Sequence, residues 1–241
     1  MIEVPMFLWV ALAAAADSSP ATYLPGAAAM EKGSVQVGGG LGMYSYAFTG
    51  GGDGALIPYV AAEVAPADRL VLYGSLMAFA DLENVPVFTP TRPTAVVALR
   101  YNAVEKSSFS LAPWVGLQVG TPVLGDRSGR SFDLAAGLAM EGGSERIRWD
   151  LSVPLFWYDG SQGLYGCGEG SGAELLCLTG TTEAGATFRL APEWSLRVGK
   201  GPATALAVGF RVDKPRWYLE TTLMGPVLLG GAFRTEAGLR F

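Results

Sequence analysis

The chain has 241 residues, of which 50% are hydrophobic and only 16% are charged, and its formal net charge is −5. Ordinary soluble domains carry roughly 25% charged residues. A negative chain of this kind lacks the basic surface that nucleic acid requires, so no nucleic-acid partner is expected. Thirty-three glycines and fifteen prolines separate short apolar runs, which favours an all-β chain over a helical one.

The sequence also argues against catalysis. It contains no histidine, which excludes the Ser-His and Asp-His mechanisms. It has no glycine-rich phosphate loop leading into a helix and no cluster of metal ligands. We therefore expect no enzyme activity, no catalytic residue, no metal and no cofactor.

The N-terminal region predicts export. Residues 6–16 form an apolar run that ends in three alanines before Asp17, as in a signal peptide, although no basic residue precedes it. A buried N-terminal helix is the alternative. The predicted organisation is a removed signal peptide at 1–16, a periplasmic lead-in at 17–32 and a β-barrel at 33–241. The lead-in is also long enough to enter a barrel lumen as a plug.

From residue 34 onward, segments of about ten residues alternate with turns. Tight connections alternate with generally longer ones, which is typical of an up-and-down barrel with short turns at one end. Twelve strands are predicted, and ten is the alternative because the strand near 195–199 is short and flanked by glycine. The predicted strands are 34–48, 54–65, 69–80, 93–104, 108–120, 131–141, 146–158, 179–190, 194–200, 203–213, 216–225 and 231–241.

Within these strands, apolar residues alternate with small or charged ones. Alternation alone also fits an exported soluble barrel or sandwich. However, the aromatic residues are concentrated near the two ends of the strands, where they would form two rings around a barrel. Two rings of aromatic residues at the edges of an apolar band indicate membrane interfaces. The ring at the short-turn end consists of Tyr101, Phe109, Trp149, Phe188, Trp194, Phe210, Trp217 and Phe241, and the ring at the other end of Phe132, Trp157 and Phe233.

The last strand carries a resemblance. Residues 233–241 alternate strictly, and the chain stops on Phe241 without a polar tail. This segment resembles the terminal strand of Gram-negative bacterial outer-membrane β-barrels, in which a final Phe or Trp is common. The resemblance implies a single antiparallel transmembrane β-barrel in the outer membrane. It also implies the lipid bilayer and the barrel-assembly machinery as partners, the latter through the C-terminal strand, with lipopolysaccharide as a further candidate.

The opposite register would line the lumen, and it is rich in arginine. An arginine collar would favour anions. Alternatively, the arginines pair with carboxylates across a narrow lumen. The expected function is a narrow passive channel with anion preference, and the alternative is a non-conducting structural or surface-binding barrel with a plugged lumen. The predicted charged lining is Arg100, Arg146, Arg148, Asp150, Arg189, Arg197, Arg211, Arg216, Glu220, Arg234, Glu236 and Arg240.

Cys167 and Cys177 enclose a Gly- and Glu-rich stretch. In an oxidising compartment this spacing predicts a disulfide that closes one long loop, with two unpaired thiols as the alternative. The loop at 160–178 could fold inward as a constriction or project outward, and the sequence does not decide between them.

Overall fold

The computed structural model describes residues 27, 30–45, 54–78, 80–81, 94–120, 131–159, 163–164, 183–200, 206–227 and 230–241. The predicted signal peptide, Cys167 and Cys177 lie outside these residues. The strands, in chain order, are β1 Val35–Ser45, β2 Gly54–Ala67, β3 Leu70–Met77, β4 Ala80–Asp81, β5 Thr94–Tyr101, β6 Val104–Lys106, β7 Phe109–Gly120, β8 Ser131–Gly143, β9 Ile147–Asp159, β10 Gly163–Leu164, β11 Glu183–Ala191, β12 Trp194–Lys200, β13 Leu206–Asp213, β14 Trp217–Val227 and β15 Gly230–Arg240.

Twelve of the described strands form a closed antiparallel barrel, and the three short strands β4, β6 and β10 extend its ladders. Each long strand pairs with the next long strand in the chain. β1 pairs with both β2 and β15, from Gln36 opposite Arg240 to Ser45 opposite Gly231, and so closes the wall. The predicted twelve-stranded, up-and-down barrel is confirmed, and the ten-stranded alternative is wrong because the strand Trp194–Lys200 pairs along its length on both sides.

The inner and outer faces of the wall follow from the two-residue period of a strand. In β13, Leu206, Val208 and Phe210 are exposed, while Ala207 and Arg211 on the opposite register are buried. The same pattern gives the other strands an apolar exterior and a lumen of small and charged side chains. Such an exterior is stable in lipid, and closure leaves no unpaired strand edge in the bilayer. No helix in the described parts of the chain is long and apolar enough to cross a membrane.

Tight turns close one end of the barrel. At the β2–β3 turn, Arg69 has a φ of 65°, and its carbonyl accepts a hydrogen bond from the backbone of Asn102 at 2.8 Å. At the β8–β9 turn, Gly143 has a φ of 121° and donates to the carbonyl of Ser108 at 3.0 Å. Neighbouring turns are thus tied to each other. The start of β1 and the end of β15 also lie at this end of the barrel, since the backbones of Val35 and Phe241 exchange hydrogen bonds of 3.0 and 2.8 Å.

Two of the predicted strands are interrupted. The first, 69–80, ends at Met77, and Ala80–Asp81 then continues the same ladder on β2 in the same register, opposite Leu56 and Ala55. The predicted strand 93–104 ends at Tyr101, because the backbone of Asn102 bonds to the β2–β3 turn, and Val104–Lys106 then pairs with β7. A two-residue period does not reveal such an interruption, because both pieces of the strand keep the same partner, β2 or β7.

Candidate functional site: the barrel lumen

One part of the lumen is a buried network of charged side chains. Glu220 of β14 accepts from Arg234 Nη2 at 3.1 Å through one carboxylate oxygen and from Arg211 Nη1 at 3.3 Å through the other. The hydroxyl of Thr222 lies 3.5 Å from Oε1 of Glu220. These side chains are all at least 90% buried. A carboxylate held between two guanidinium groups is the arrangement that buried charges require.

A second carboxylate links the last strand, β15, to β2 across β1 and to its neighbour β14. Glu236 of β15 accepts from the hydroxyl of Tyr59 at 2.7 Å and from the hydroxyl of Tyr218 at 2.5 Å. Tyr59 lies on β2, beyond the seam between β1 and β15. The rings of Tyr59 and Tyr218 have room inside the barrel because a glycine lies next to each of them. A Cβ added at Gly40 would lie 2.7 Å from Tyr59 Oη, and one added at Gly238 would lie 2.5 Å from Tyr218 Oη.

The network continues to the short-turn mouth through Asp213. Its Oδ2 accepts from Arg211 Nε at 2.6 Å, and its Oδ1 accepts from Arg240 Nη2 at 2.5 Å. Arg240 also donates from Nε to Gln36 Oε1 at 3.3 Å. The guanidinium of Arg211 lies 4.4 Å from the centre of the Tyr218 ring. We refer to Tyr59, Arg211, Asp213, Tyr218, Glu220, Arg234, Glu236 and Arg240 as the charged wall.

Further ion pairs lie around the rest of the lumen. Arg197 of β12 binds Asp150 of β9 through two hydrogen bonds, of which Nε–Oδ1 is 3.2 Å long. Arg148 Nε lies 3.2 Å from Glu141 Oε1, and Arg100 Nη1 lies 4.0 Å from Glu63 Oε1. The Arg100 pair is fully buried, whereas the side chain of Arg148 is 58% exposed. Arginines facing the described lumen are therefore matched with carboxylates.

The facing part of the lumen is apolar. Inward side chains of β2, β3, β5, β7 and β8 pack into one cluster around Trp114, which is 4% exposed. A Cβ added at Gly137, on the strand next to Trp114, would lie 2.6 Å from Trp114 Cζ2. We call this cluster the apolar wall, and it consists of Ala61, Tyr73, Val96, Ala98, Ala112, Trp114, Ala135 and Ala139.

Three of the predicted lumen arginines lie at the rim. Arg146 and Arg216 directly precede β9 and β14, Arg189 lies near the end of β11, and all three are exposed. The guanidinium of Arg189 donates to the carbonyl of Pro192 at 2.8 Å. The structure thus divides the predicted charged lining into a paired interior and an exposed rim at the short-turn end.

Several members of the network were not among the predicted site residues. Asp213 was assigned to a turn, although it stands two residues after Arg211 and so shares its face. Tyr59 and Gln36 are not predicted from the sequence, because an uncharged polar residue in a strand is a weak signal of a site. The alternating register could have identified all three.

The aromatic residues predicted for the short-turn end lie on the outward register. Seven are exposed, and two pairs are in contact, with ring centroids 6.1 Å apart for Phe109–Trp149 and 5.0 Å apart for Trp194–Phe210. The side chains of the other predicted ring, Phe132, Trp157 and Phe233, lie outside the described residues, so that ring stays a prediction. The exposed aromatic residues are Tyr101, Trp149, Phe188, Trp194, Phe210, Trp217 and Phe241.

No group of His, Cys, Asp or Glu side chains among the described residues could hold a metal ion. The carboxylates that do approach one another, Glu220 and Glu236, face arginine and tyrosine donors instead.

Comparison with known proteins identifies the fold. No family model matches the sequence, and no curated protein matches it. Among solved structures, the KdgM porin in complex with disordered oligogalacturonate is similar, with a TM-score of 0.53 and 9% identity over 86% of this chain and 99% of that one. An outer-membrane channel from Pseudomonas putida F1 gives a TM-score of 0.49 with 16% identity, over 93% and 100% of the two chains. Outer-membrane phospholipase A from Escherichia coli gives 0.47 with 10% identity, over 88% and 94%.

These likenesses concern the fold. The closed wall, the apolar exterior and the similarity to the KdgM porin define a transmembrane β-barrel of the Gram-negative outer-membrane type. The bacterial outer membrane is the location of such a barrel, as the terminal strand of the sequence predicts.

Proposed function

We propose that this barrel is a narrow passive channel for small solutes or ions. The observation that supports it is a closed wall of twelve strands whose inner face carries charged and polar side chains. Barrels of about eight strands are filled by their own side chains, and those of about sixteen leave a wide aqueous channel. A twelve-stranded wall lies between these limits, and the large inward side chains Arg234, Tyr218 and Trp114 narrow it further.

We further propose a modest anion preference. The paired interior charges contribute little net potential, because Arg211, Arg234 and Arg240 are balanced by Asp213, Glu220 and Glu236. The preference would come from the exposed arginines at the short-turn mouth, Arg146, Arg189 and Arg216. Charged rings at a pore mouth raise the local concentration of counter-ions and thereby set selectivity.

Planar-bilayer recordings test both proposals. The purified protein should conduct, and its reversal potential in a KCl gradient should indicate chloride preference. The triple variant Arg146→Ser, Arg189→Ser, Arg216→Ser should shift the reversal potential toward cations. Neutralising the opposite sign at the same end, with Glu145→Gln and Glu193→Gln, should shift it the other way. Cation preference in the unaltered protein would refute the anion proposal.

A second candidate is a non-conducting structural or surface-binding barrel. It is supported by the burial of the lumen, where Glu63, Arg100, Arg234 and Glu236 are all less than 4% exposed. Resistance to unfolding in detergent before heating would show that the purified protein is folded. If the folded protein does not conduct, this candidate is favoured over the channel.

A further inference from the structure

A residue that precedes the first strand lies inside the barrel. Ala27 is fully buried, and it belongs to the same cluster as the apolar wall. The side chain of Asn102, itself fully buried, reaches the carbonyl of Ala27 with Nδ2 at 3.5 Å. Since Ala61, Ala98, Ala112 and Trp114 all face the lumen, the chain at Ala27 lies within the lumen near the short-turn end.

A turn directs the chain into the barrel. The backbone N–H and the hydroxyl of Ser34 both donate to the carbonyl of Glu31, at 3.0 and 2.5 Å. Gly33 has a φ of 83°, a conformation that glycine adopts without strain, and it donates to Ala65 of β2 at 2.7 Å. The turn is therefore fixed to the barrel rim, and it reverses the chain just before β1 begins at Val35.

The composition of the apolar wall fits an occupant. Alanines that face an open pore would touch solvent, yet Ala112, Ala135 and Ala139 are fully buried. Small side chains leave room for a further residue inside the wall, and Ala27 packs in the same cluster. The apolar surface of these alanines gains stability when it is covered. The charged wall differs, because its long inward side chains already bond to one another.

We propose that the chain at Ala27 is docked on the apolar wall as a fixed part of the lumen, held by Asn102 and by the Glu31–Ser34 turn. Ala27 then occupies part of the apolar side of the short-turn mouth. The remaining passage then follows the charged wall. Only this consequence rests on the proposed channel function, because the docking itself does not require conduction.

Cysteine cross-linking tests the docking. In a full-length Cys167→Ser, Cys177→Ser background, the pair Ala27→Cys, Asn102→Cys should form a disulfide in membranes under mild oxidation, seen as a mobility shift after unfolding. The matched control pair is Ala27→Cys, Ala207→Cys, because Ala207 is equally buried in the lumen but lies outside the cluster of Ala27. It should not cross-link. Absence of the first cross-link, or equal yields from both pairs, would overturn the proposal.

Thiol labelling provides a second measurement, which does not require a disulfide to form. Ala27→Cys in the same background should react about tenfold more slowly with a charged maleimide than Lys32→Cys does, because Lys32 is exposed at the turn. Equal rates in folded protein, with equal rates also after unfolding, would show that Ala27 is not enclosed. Both measurements remain valid if the barrel does not conduct, so this inference and the proposed function can fail separately.

Discussion

The charged wall and the apolar wall fill one lumen by opposite means. On β13, β14 and β15, long side chains meet in defined ion pairs and hydrogen bonds, such as Arg234–Glu220 at 3.1 Å. On β5, β7 and β8, alanines surround a single tryptophan and carry no described ion pair within their cluster. A buried charge requires a particular partner at a particular distance, whereas an apolar surface requires only matching volume. We therefore expect the two walls to respond differently to substitution.

The largest effect should come from the centre of the charged wall. Glu220→Gln leaves Arg211 and Arg234 buried without their shared counter-charge, and loss of one partner from a buried pair costs about 3–5 kcal/mol. Urea titration in lipid vesicles, followed by tryptophan fluorescence, measures the loss. The double variant Glu220→Gln, Arg234→Met should recover part of it. A loss no larger than that of a surface pair would show that this wall does not depend on pairing.

The hydroxyl hydrogen bonds to Glu236 should have the next largest effect. Tyr218→Phe keeps the ring over Gly238 but removes a donor to the Glu236 carboxylate, for an expected loss of about 1.5–3 kcal/mol. Tyr59→Phe removes the second donor and should cost a similar amount. The double variant should cost more than the sum, because Glu236 then loses both hydroxyl donors. Strict additivity in the unfolding titrations would contradict a shared network.

On the apolar wall, added volume should be harmful only where space is lacking. In Gly137→Ala, the new Cβ would lie 2.3 Å from the Val153 carbonyl oxygen and 2.6 Å from Trp114 Cζ2, and such overpacking costs about 1–3 kcal/mol. Gly116→Ala is the matched control, since its nearest neighbour would be Ala98 Cβ at 3.5 Å, an ordinary contact. The control should stay within about 0.5 kcal/mol of the unaltered protein. Equal losses at the two glycines would mean that the lack of space at Gly137 does not determine the cost.

The smallest effect should come from an ion pair at the rim. Lys214 and Glu193 form a bond between neighbouring turns, but their side chains are 35% and 44% exposed. Exposed pairs contribute about 0–1 kcal/mol, so Glu193→Gln should barely change the unfolding midpoint. A loss comparable to that of Glu220→Gln would remove the distinction between the buried wall and the rim.

The described residues do not test the remaining predictions. The predicted signal peptide and the Cys167–Cys177 disulfide fall outside them, as does the direction of the loop at 160–178. The assignment of 17–32 to the periplasm stays a prediction, because only Ala27 and the residues from Met30 onward are described. Contacts of β15 with the assembly machinery, and of the protein with lipopolysaccharide, likewise remain predictions.

The sequence by itself determined the wall. Strict alternation in segments such as 147–153 and 233–241 specifies which side chains face lipid, since the period of a strand is two. Turn spacing then gave twelve strands and the end at which both termini lie. These properties depend on local sequence, so they can be predicted from the sequence alone.

The tertiary structure alone decided the contents of the lumen. Tyr59 reaches Glu236 over 177 residues of sequence, and Asn102 reaches Ala27 over 75. Alternation places a side chain inside the barrel but does not say which inward side chain it meets, because partners depend on closure, register and side-chain length. For this reason the sequence left both an arginine collar and a paired lattice open, and only the folded barrel separates the paired interior arginines from Arg146, Arg189 and Arg216 at the rim.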